Sequence, residues 1–356
     1  MFKIISPRKR LDLDLWILVK YFFFTFKPWG FASALTTVNF LFGEEGRLTI
    51  PCFSVRSSFD ALLKALALPP GSEIMVSAIS IQDMRTIVES HGLIPVPVDI
   101  YPDSLATDLA DAKNKLTPRT KAFLFAHLFG AISNLTPLAS FCEKNKVLLI
   151  EDGAQIFCGK EYFAHPKSDF AMISFGPLKT GTALAGAIIS ILDKHKNVAD
   201  QLIKIQSSWP KYKRVDYFKR VVKFSAQYLF SFPVLFTFFI YICRIFEKDY
   251  DTIVSRLTRS FPKDVLLKSI RQQINLPILS AMAWRLSNYP LWSVEKREKD
   301  AMKKVALFDD RYKIPGRKSI RHTFWLLPIM SITANDDIKI LRENKIDATK
   351  LTTSLS

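Results

Sequence analysis

The sequence predicts an α/β protein built on a mostly parallel sheet, and two observations carry that expectation. From about Gly46 to Leu192, short apolar runs alternate with stretches of helical period. Such alternation describes strands buried on both faces beneath covering helices. The chain is also long enough, at 356 residues with 49% apolar and 23% charged residues, to bury a large core. That composition excludes a disordered or collagen-like polymer.

The elements can be taken in order. Arg56-Ser-Ser-Phe-Asp precedes ALLKALAL, a short helix that stops at Pro69-Pro70-Gly71. A strand, EIMVSA (73–78), is followed by a helix that starts after Ser80 and closes near His91-Gly92. The strand IPVPVDI (94–100) leads through Pro102-Asp103 to a polar helix around 105–116. KAFLFAHL (121–128) is a strand that turns at Gly130 into a helix over 135–146. VLLIED (147–152) and DFAMIS (to Ser174) are further strands. In a parallel sheet, ligands collect at the carboxyl ends of strands, which here places Ser77, His127 and Asp152 at a candidate site.

Beyond residue 200 the alternation stops. Residues 204–223 carry seven Lys/Arg against one acid, Asp216, and 224–243 carry no charge. SIRQQINLPILSAMAWRLSNY (269–289) reads as one amphipathic helix, and FWLLPIMSI (324–332) as a strand before a short helix, DDIKILRENK. The expected organisation is therefore an apolar arm (1–44), a large α/β domain (45–200), a basic and Phe-rich insertion (201–265) and a small C-terminal α+β domain (266–356).

Composition narrows the chemistry. Lys+Arg 50 against Asp+Glu 33 leaves a net charge of +17, yet no nucleic-acid-binding module is visible, so no nucleic-acid partner is expected. The four cysteines lie far apart with no CxxC, and the five histidines form no HExxH or HxxxH pair, so no metal site is expected. Phe is abundant (29) and Gly scarce (12).

Three segments converge on one pocket in this arrangement. Ser57-Ser58 opens the first helix of the α/β region, where free amides and a partial positive charge suit a phosphate; Ser before a helix is also an ordinary N-cap. EDGAQ (151–155) places two acids at a strand end, where a cap or salt bridge is the simpler role. SFGPLKTG (174–181) follows a strand and contains one lysine, which in an isolated loop would face solvent.

Together these segments are far more specific. EDGAQ, then Ser174-Phe175-Gly176-Pro177-Leu178-Lys179, then AGAIIS resembles the DegT/DnrJ/EryC1/StrS family of pyridoxal-phosphate-dependent sugar aminotransferases. PVPVDIYPDSLATD (95–108) and TPRTKAFLFAHLFG (117–130) resemble further family segments in the same order. The resemblance implies an aspartate-aminotransferase-like fold (pyridoxal phosphate fold type I), a homodimer, and pyridoxal 5'-phosphate as cofactor. It implies that Lys179 tethers the cofactor and moves the substrate proton, with a lysine amine suited to both by a burial-lowered pKa. Asp152 would keep the cofactor's ring nitrogen protonated. Gln155 would sit beside the phenolic oxygen, and Ser174 with Ser57 and Ser58 would hold the phosphate. A related subgroup carries His at the lysine position and dehydrates sugars; Lys179 points to amino transfer.

Some residues depart from the family pattern. Ser57-Ser58-Phe59 stands where Ser-Gly-Thr is usual, Ile81 stands where an aromatic stacks on the cofactor, and Ala185-Gly186 replaces Gly-Gly. The Asn that reaches a partner subunit's cofactor has no clear counterpart in RQQIN (271–275), where Arg271 is the candidate substitute. Family members continue beyond the DAT…TSL region (347–355), so an incomplete small domain is expected. The resemblance implies transfer of an amino group, from glutamate as donor, to a nucleotide-linked keto-sugar for cell-surface polysaccharide. The alternative is a degenerate, non-catalytic relative serving as a membrane-associated binding subunit.

Two apolar stretches remain. Phe224–Cys243 is long enough to cross a bilayer, but one crossing would separate Lys179 from 269–356, which the resemblance assigns to one site. An interfacial helix bent at Pro233 or a re-entrant pair is expected, with a buried or dimer helix as the plain alternative. The basic run 204–223 would bind anionic lipid. Residues 1–31 have a basic start (Lys3, Arg8, Lys9, Arg10), but Asp12, Asp14 and Lys20 interrupt a signal-peptide pattern, so 11–31 reads as an amphipathic anchor. The expected location is cytoplasmic, peripheral or monotopic at the inner face of the membrane.

Overall fold

The structure is a computed structural model and describes residues 4–250, 252–254, 261, 265–308 and 311–350. The chain opens with α1 (Leu15–Phe26) and α2 (Phe31–Phe42), then β1 (Arg47–Cys52), α3 (Val55–Leu66), β2 (Glu73–Ser77) and α4 (Gln82–Ser90). There follow β3 (Ile94–Val98), α5 (Leu109–Lys115), β4 (Thr120–Ala126), β5 (Ala131–Ile132), α6 (Thr136–Lys144), β6 (Leu148–Asp152), β7 (Phe170–Ser174) and β8 (Ala187–Leu192). Among the described residues the elements that follow are helices apart from β9 (Arg321–His322): α7 (Lys196–Ser207), α8 (Arg214–Phe230), α9 (Pro233–Ile245), α10 (Leu266–Ile270), α11 (Leu276–Ser287), α12 (Trp292–Val305) and α13 (Ala334–Glu343).

Seven strands form one sheet in the order β1-β8-β7-β6-β4-β2-β3. The run from β7 to β3 is parallel, while β8 is antiparallel to both β7 and β1. The absence of polar alternation in the central strands has a direct cause. Ile74, Val76, Ala122, Leu124 and Ile150 pack into one core, whereas Met75, Phe123, Phe125 and Leu149 pack into a second on the opposite face. Helices α5 and α6 supply Ala112, Leu138 and Phe141 to the second core; α3 and α4 supply Phe59, Leu62 and Ile87 to the first. Both faces are thus apolar, as a covered parallel sheet requires.

The N-terminal helices belong to the main core. Leu18, Tyr21 and Phe24 of α1 and Ala34 and Val38 of α2 are buried in it, and both helices pack against α11. Lys27-Pro28-Trp29-Gly30 separates them, because Pro28 cannot supply the amide that a continuous helix needs.

Two sequence expectations change. Residues 269–289 do not form one helix: α10 ends at Ile270 and α11 starts at Leu276. Asn275 caps α11 by accepting the Ile278 amide at 3.0 Å, and Pro277 sits in the first turn, where a missing N–H costs nothing. FWLLPIMSI does not form a strand; beyond β9 its pairing is a single bridge between Lys313 and Met330. Pro328 and the approach of this segment to Gly130 hold it in irregular backbone instead. The helix after it is α13.

Gly186 shows why β8 starts as it does. Its φ is +96°, and an added Cβ would lie 2.1 Å from Met282 Sδ of α11. Gly186→Ala should therefore lower stability by about 1–3 kcal/mol through backbone strain and overpacking. An unchanged urea midpoint would show that this contact is not tight.

Candidate active site

Register places the site. Ala126 of β4 pairs with Asp152 of β6, and Asp152 pairs with Met172 of β7, so three strands end together. The loop from Phe175 to Ala185 crosses this edge. It closes on itself through Lys179 N to Gly176 O (3.0 Å), Ala183 N to Phe175 O (3.0 Å) and Phe175 N to Gly186 O (2.9 Å).

Distant segments brace this loop. The Gly181 amide donates to Asp12 Oδ2 at 2.7 Å, Tyr21 Oη to the Thr182 carbonyl at 2.6 Å, and Tyr217 Oη to the Ala183 carbonyl at 3.1 Å. From the C-terminal side, Trp325 Nε1 donates to the Leu178 carbonyl at 2.7 Å. Tyr289 Oη and Arg285 Nη2 in turn hold Asp12, at its Oδ2 (2.9 Å) and its carbonyl (2.7 Å).

Lys179 Nζ lies 4.1 Å from the centre of the Trp325 ring. Burial lowers its pKa to about 8; the Asp152 charge opposes that shift and the Arg56 charge adds to it. Asp152 is buried and its Oδ1 accepts the Ala154 amide at 2.9 Å. Burial raises the Asp152 pKa, against the pull of that amide, Lys179 and Arg56. A buried amine and a buried carboxylate therefore feel each other's charge at one strand edge.

The acidic pair divides its labour, because adjacent strand residues point to opposite faces. Glu151 is fully buried and accepts from His127 Nε2 (2.9 Å), Tyr162 Oη (2.6 Å), the His165 amide (2.9 Å) and Ser168 Oγ (2.7 Å). Burial pushes its pKa up, but the bonds from His127, Tyr162 and His165 outweigh it and hold the carboxyl below its ordinary value. The Ser133 amide donates to His127 Nδ1 at 3.2 Å, so the ring proton sits on Nε2 and points at Glu151. Glu151 pins the strand end; Asp152 is left for the site.

Gln155 Oε1 accepts the Phe129 amide at 2.7 Å and so orients Phe129-Gly130. Gly130 has φ +98°, and an added Cβ would lie 2.5 Å from the Trp325 amide nitrogen. That close approach lets Thr323 and Leu326 bond back to Gly130 and Phe129, which delivers Trp325 to the lysine. Trp325 carries no local sequence signal of its own; the available signal was the glycine at 130.

The remaining expected residues fall differently. Ser57 and Ser58 are fully buried: Ser57 Oγ donates to the Ile270 carbonyl at 2.6 Å, and Ser58 Oγ to the Val55 carbonyl at 2.9 Å. In this arrangement neither hydroxyl faces a phosphate, which departs from the expectation. The helix begins two residues earlier than Ser57, capped by Ser54, whose Oγ accepts the Ser57 amide at 3.1 Å. Its first amides are those of Val55 and Arg56, and Arg56 is the residue whose charge reaches Lys179 and Asp152. Ser174 Oγ accepts the Gly176 amide at 3.3 Å, and Ile81 precedes α4, half-buried against the main core. Arg271 does not reach outward: its Nε and Nη2 grip Asp60 at 2.9 Å each, beside His91 at 3.0 Å.

The α/β fold thus sets a half-buried lysine and a buried carboxylate at the carboxyl edge of its sheet. Residues 49–217 match the profile of the DegT/DnrJ/EryC1/StrS aminotransferase family. The chain is similar to an L-glutamine:2-deoxy-scyllo-inosose aminotransferase of Micromonospora echinospora, 32% identical over 30% of this chain and 25% of that protein. It is also similar to a UDP-N-acetyl-3-dehydro-alpha-D-glucosamine 3-aminotransferase of Acidithiobacillus ferrooxidans, 26% identical over 51% of this chain and 54% of that protein. The matches thus span from a quarter to about half the length of these two relatives. The fold resembles a putative sugar aminotransferase of Streptococcus pneumoniae solved in its PLP form, with TM-score 0.66, 15% identity, and coverage of 96% of this chain and 83% of that one.

The lowered lysine pKa gives a test of the site's electrostatics. Modification of Lys179 by an amine reagent, followed by peptide mass mapping, should be half-maximal near pH 8 rather than at the usual 10.5. The sign for stability follows: the unfolded chain holds more protons between those values, so Lys179 penalises folding below about pH 8 and less as pH rises toward 10.5. A midpoint above pH 10 would show an exposed, ordinary lysine.

Proposed function

We propose that the protein is an aminotransferase that uses pyridoxal 5'-phosphate to move an amino group from an amino-acid donor, glutamate, to a keto-sugar carried on a nucleotide. The observation that carries this reading is the buried Lys179 amine, with its pKa near 8, set against buried Asp152. The residues present fit the cofactor at its reactive end. Lys179 is the group that would tether it, and Asp152 the carboxylate that would hold a proton on its ring nitrogen. When bound, the cofactor supplies an electron sink for the charge left when the donor's Cα loses its proton.

The chain's own part is proton traffic and placement. An amine with a pKa near 8 is partly uncharged at neutral pH, so Lys179 Nζ can take a proton at Cα and return it elsewhere. Trp325 and the braced loop limit where that nitrogen can travel. At the phosphate end, Ser174 and the first-turn amides of α3 would serve, with Arg56 supplying positive charge. The nucleotide-linked substrate is supported by the name of the Acidithiobacillus relative, which acts on a UDP-linked keto-sugar. A role in cell-surface polysaccharide synthesis and a homodimeric assembly belong to the same proposal.

Purified protein given the cofactor should turn yellow, and borohydride should bleach it by fixing the cofactor to Lys179. Lys179→Ala should show no fixed cofactor by mass. Asp152→Asn should keep cofactor but lose about a hundredfold or more in turnover, because a lost ring proton weakens the electron sink. Protein that stays colourless with added cofactor would overturn the reading, and near-normal turnover in Asp152→Asn would reassign the carboxylate.

A further inference from the structure

Helices α8 and α9 turn a large apolar surface outward. On α8 the buried stripe is Tyr217, Val221 and Phe224, while Val215, Val222 and Leu229 recur every seven residues on the other side and are exposed. On α9 Phe236, Ile240 and Cys243 face inward. Val234, Phe238 and Ile245 face out, at 65%, 58% and 59% exposure. Helix α1 extends the surface: Phe22 and Phe26 touch Phe218 of α8 at 5.4 and 5.9 Å between ring centres, yet both stay exposed together with Phe23. Contiguous apolar surface of this kind marks a binding face.

Charge says what covers it. Lys219 and Lys223 border the α8 stripe, and Lys211, Lys213 and Arg214 cluster at its start, with Asp216 as the one acid of 204–223. Lys27 is exposed at the end of α1, beside Phe23 and Phe26. A second copy across a two-fold axis would set this basic border against itself, and lysine is depleted from protein–protein interfaces. An anionic lipid surface matches both features: it takes apolar side chains into its boundary and pairs the flanking amines with headgroups. No single described helix is long and apolar enough to cross a membrane; α8 and α9 together have the length and composition of a span but meet at a 91° bend.

We propose that the outward faces of α1, α8 and α9 form a docking surface for an anionic bilayer. The inference does not depend on the enzymatic reading, and its test reads no activity.

The full chain is mixed with vesicles of phosphatidylcholine containing about 30% phosphatidylglycerol, or of phosphatidylcholine alone, and floated on a density gradient. It should float with the anionic vesicles, at least about tenfold less with neutral ones, and less as salt rises. Lys219→Glu/Lys223→Glu should weaken binding by about tenfold or more. Val234→Ser/Phe238→Ser/Ile245→Ser should abolish flotation with an unchanged melting curve, since these side chains point away from the core. If that triple variant fails to fold, Val222→Ser/Leu229→Ser on α8 gives the same reading. Wild-type protein that stays off the anionic vesicles overturns the proposal. So does a folded variant that floats like wild type. A wild-type dimer that becomes monomeric in the variant, without lipid binding by either, assigns the face to a second copy and also overturns it.

Discussion

Keeping a lysine amine buried beside a carboxylate costs free energy, because burial disfavours the charged form of each. The loop that carries Lys179 could relieve that cost by swinging outward, so something must hold it. Asp12, Tyr21, Tyr217 and Trp325 do so, each with a hydrogen bond to the backbone of residues 178–183. Two of these donors, Tyr21 and Tyr217, are themselves buried, so loss of either would leave a carbonyl without its partner in the core. The residues come from the N-terminal segment, α1, α8 and the segment after β9. The arm and the basic insertion are therefore structural parts of the site as well as additions to it.

A second constraint sits one residue from the carboxylate. Glu151 has four donors around a fully buried carboxyl, which makes its charge far less costly than a lone buried acid's. The network joins β4, β6 and the 162–168 loop at one point. Asp152 can then be left with fewer partners and a raised pKa, poised for another charged group. The neighbouring acids of EDGAQ thus differ through their surroundings, as the two faces of a strand allow.

The sequence showed the parts of the fold that follow from local pattern. The central strands, the helix start near Arg56 and the loop carrying Lys179 all lie close to where periodicity and turn residues place them. The parts that depend on distant backbone were not legible. Trp325 meets Lys179 because Gly130 permits a backbone approach of 2.5 Å to a missing Cβ, and no local pattern encodes a partner nearly two hundred residues away. Ser57 and Ser58 read as a phosphate pair on their position near a helix start, but Ser54 caps the helix one turn earlier and rotates both hydroxyls into the core. The break between α10 and α11 was signalled by Asn275-Leu276-Pro277 and overridden by the apolar periodicity around it.

The apolar surface and the candidate site share helices without sharing faces. Residues 217, 221 and 224 of α8 lie about 130° around the axis from 215, 222 and 229, by the 3.6-residue repeat. The inner face carries Tyr217 to the Ala183 carbonyl; the outer one carries apolar side chains bordered by lysines. Helix α1 repeats the arrangement, with Tyr21 inward on Thr182 and Phe22, Phe23 and Phe26 outward. Because the inner tyrosines are fully buried and hydrogen-bonded, the helices are tied to the core independently of what covers their outer sides. An outward face that contributes nothing to this internal bracing gains nothing from being apolar in water, whereas the polar inner contacts already suffice to position the loop. The inner residues thus brace the loop that carries Lys179, and the outer ones take no part in that bracing.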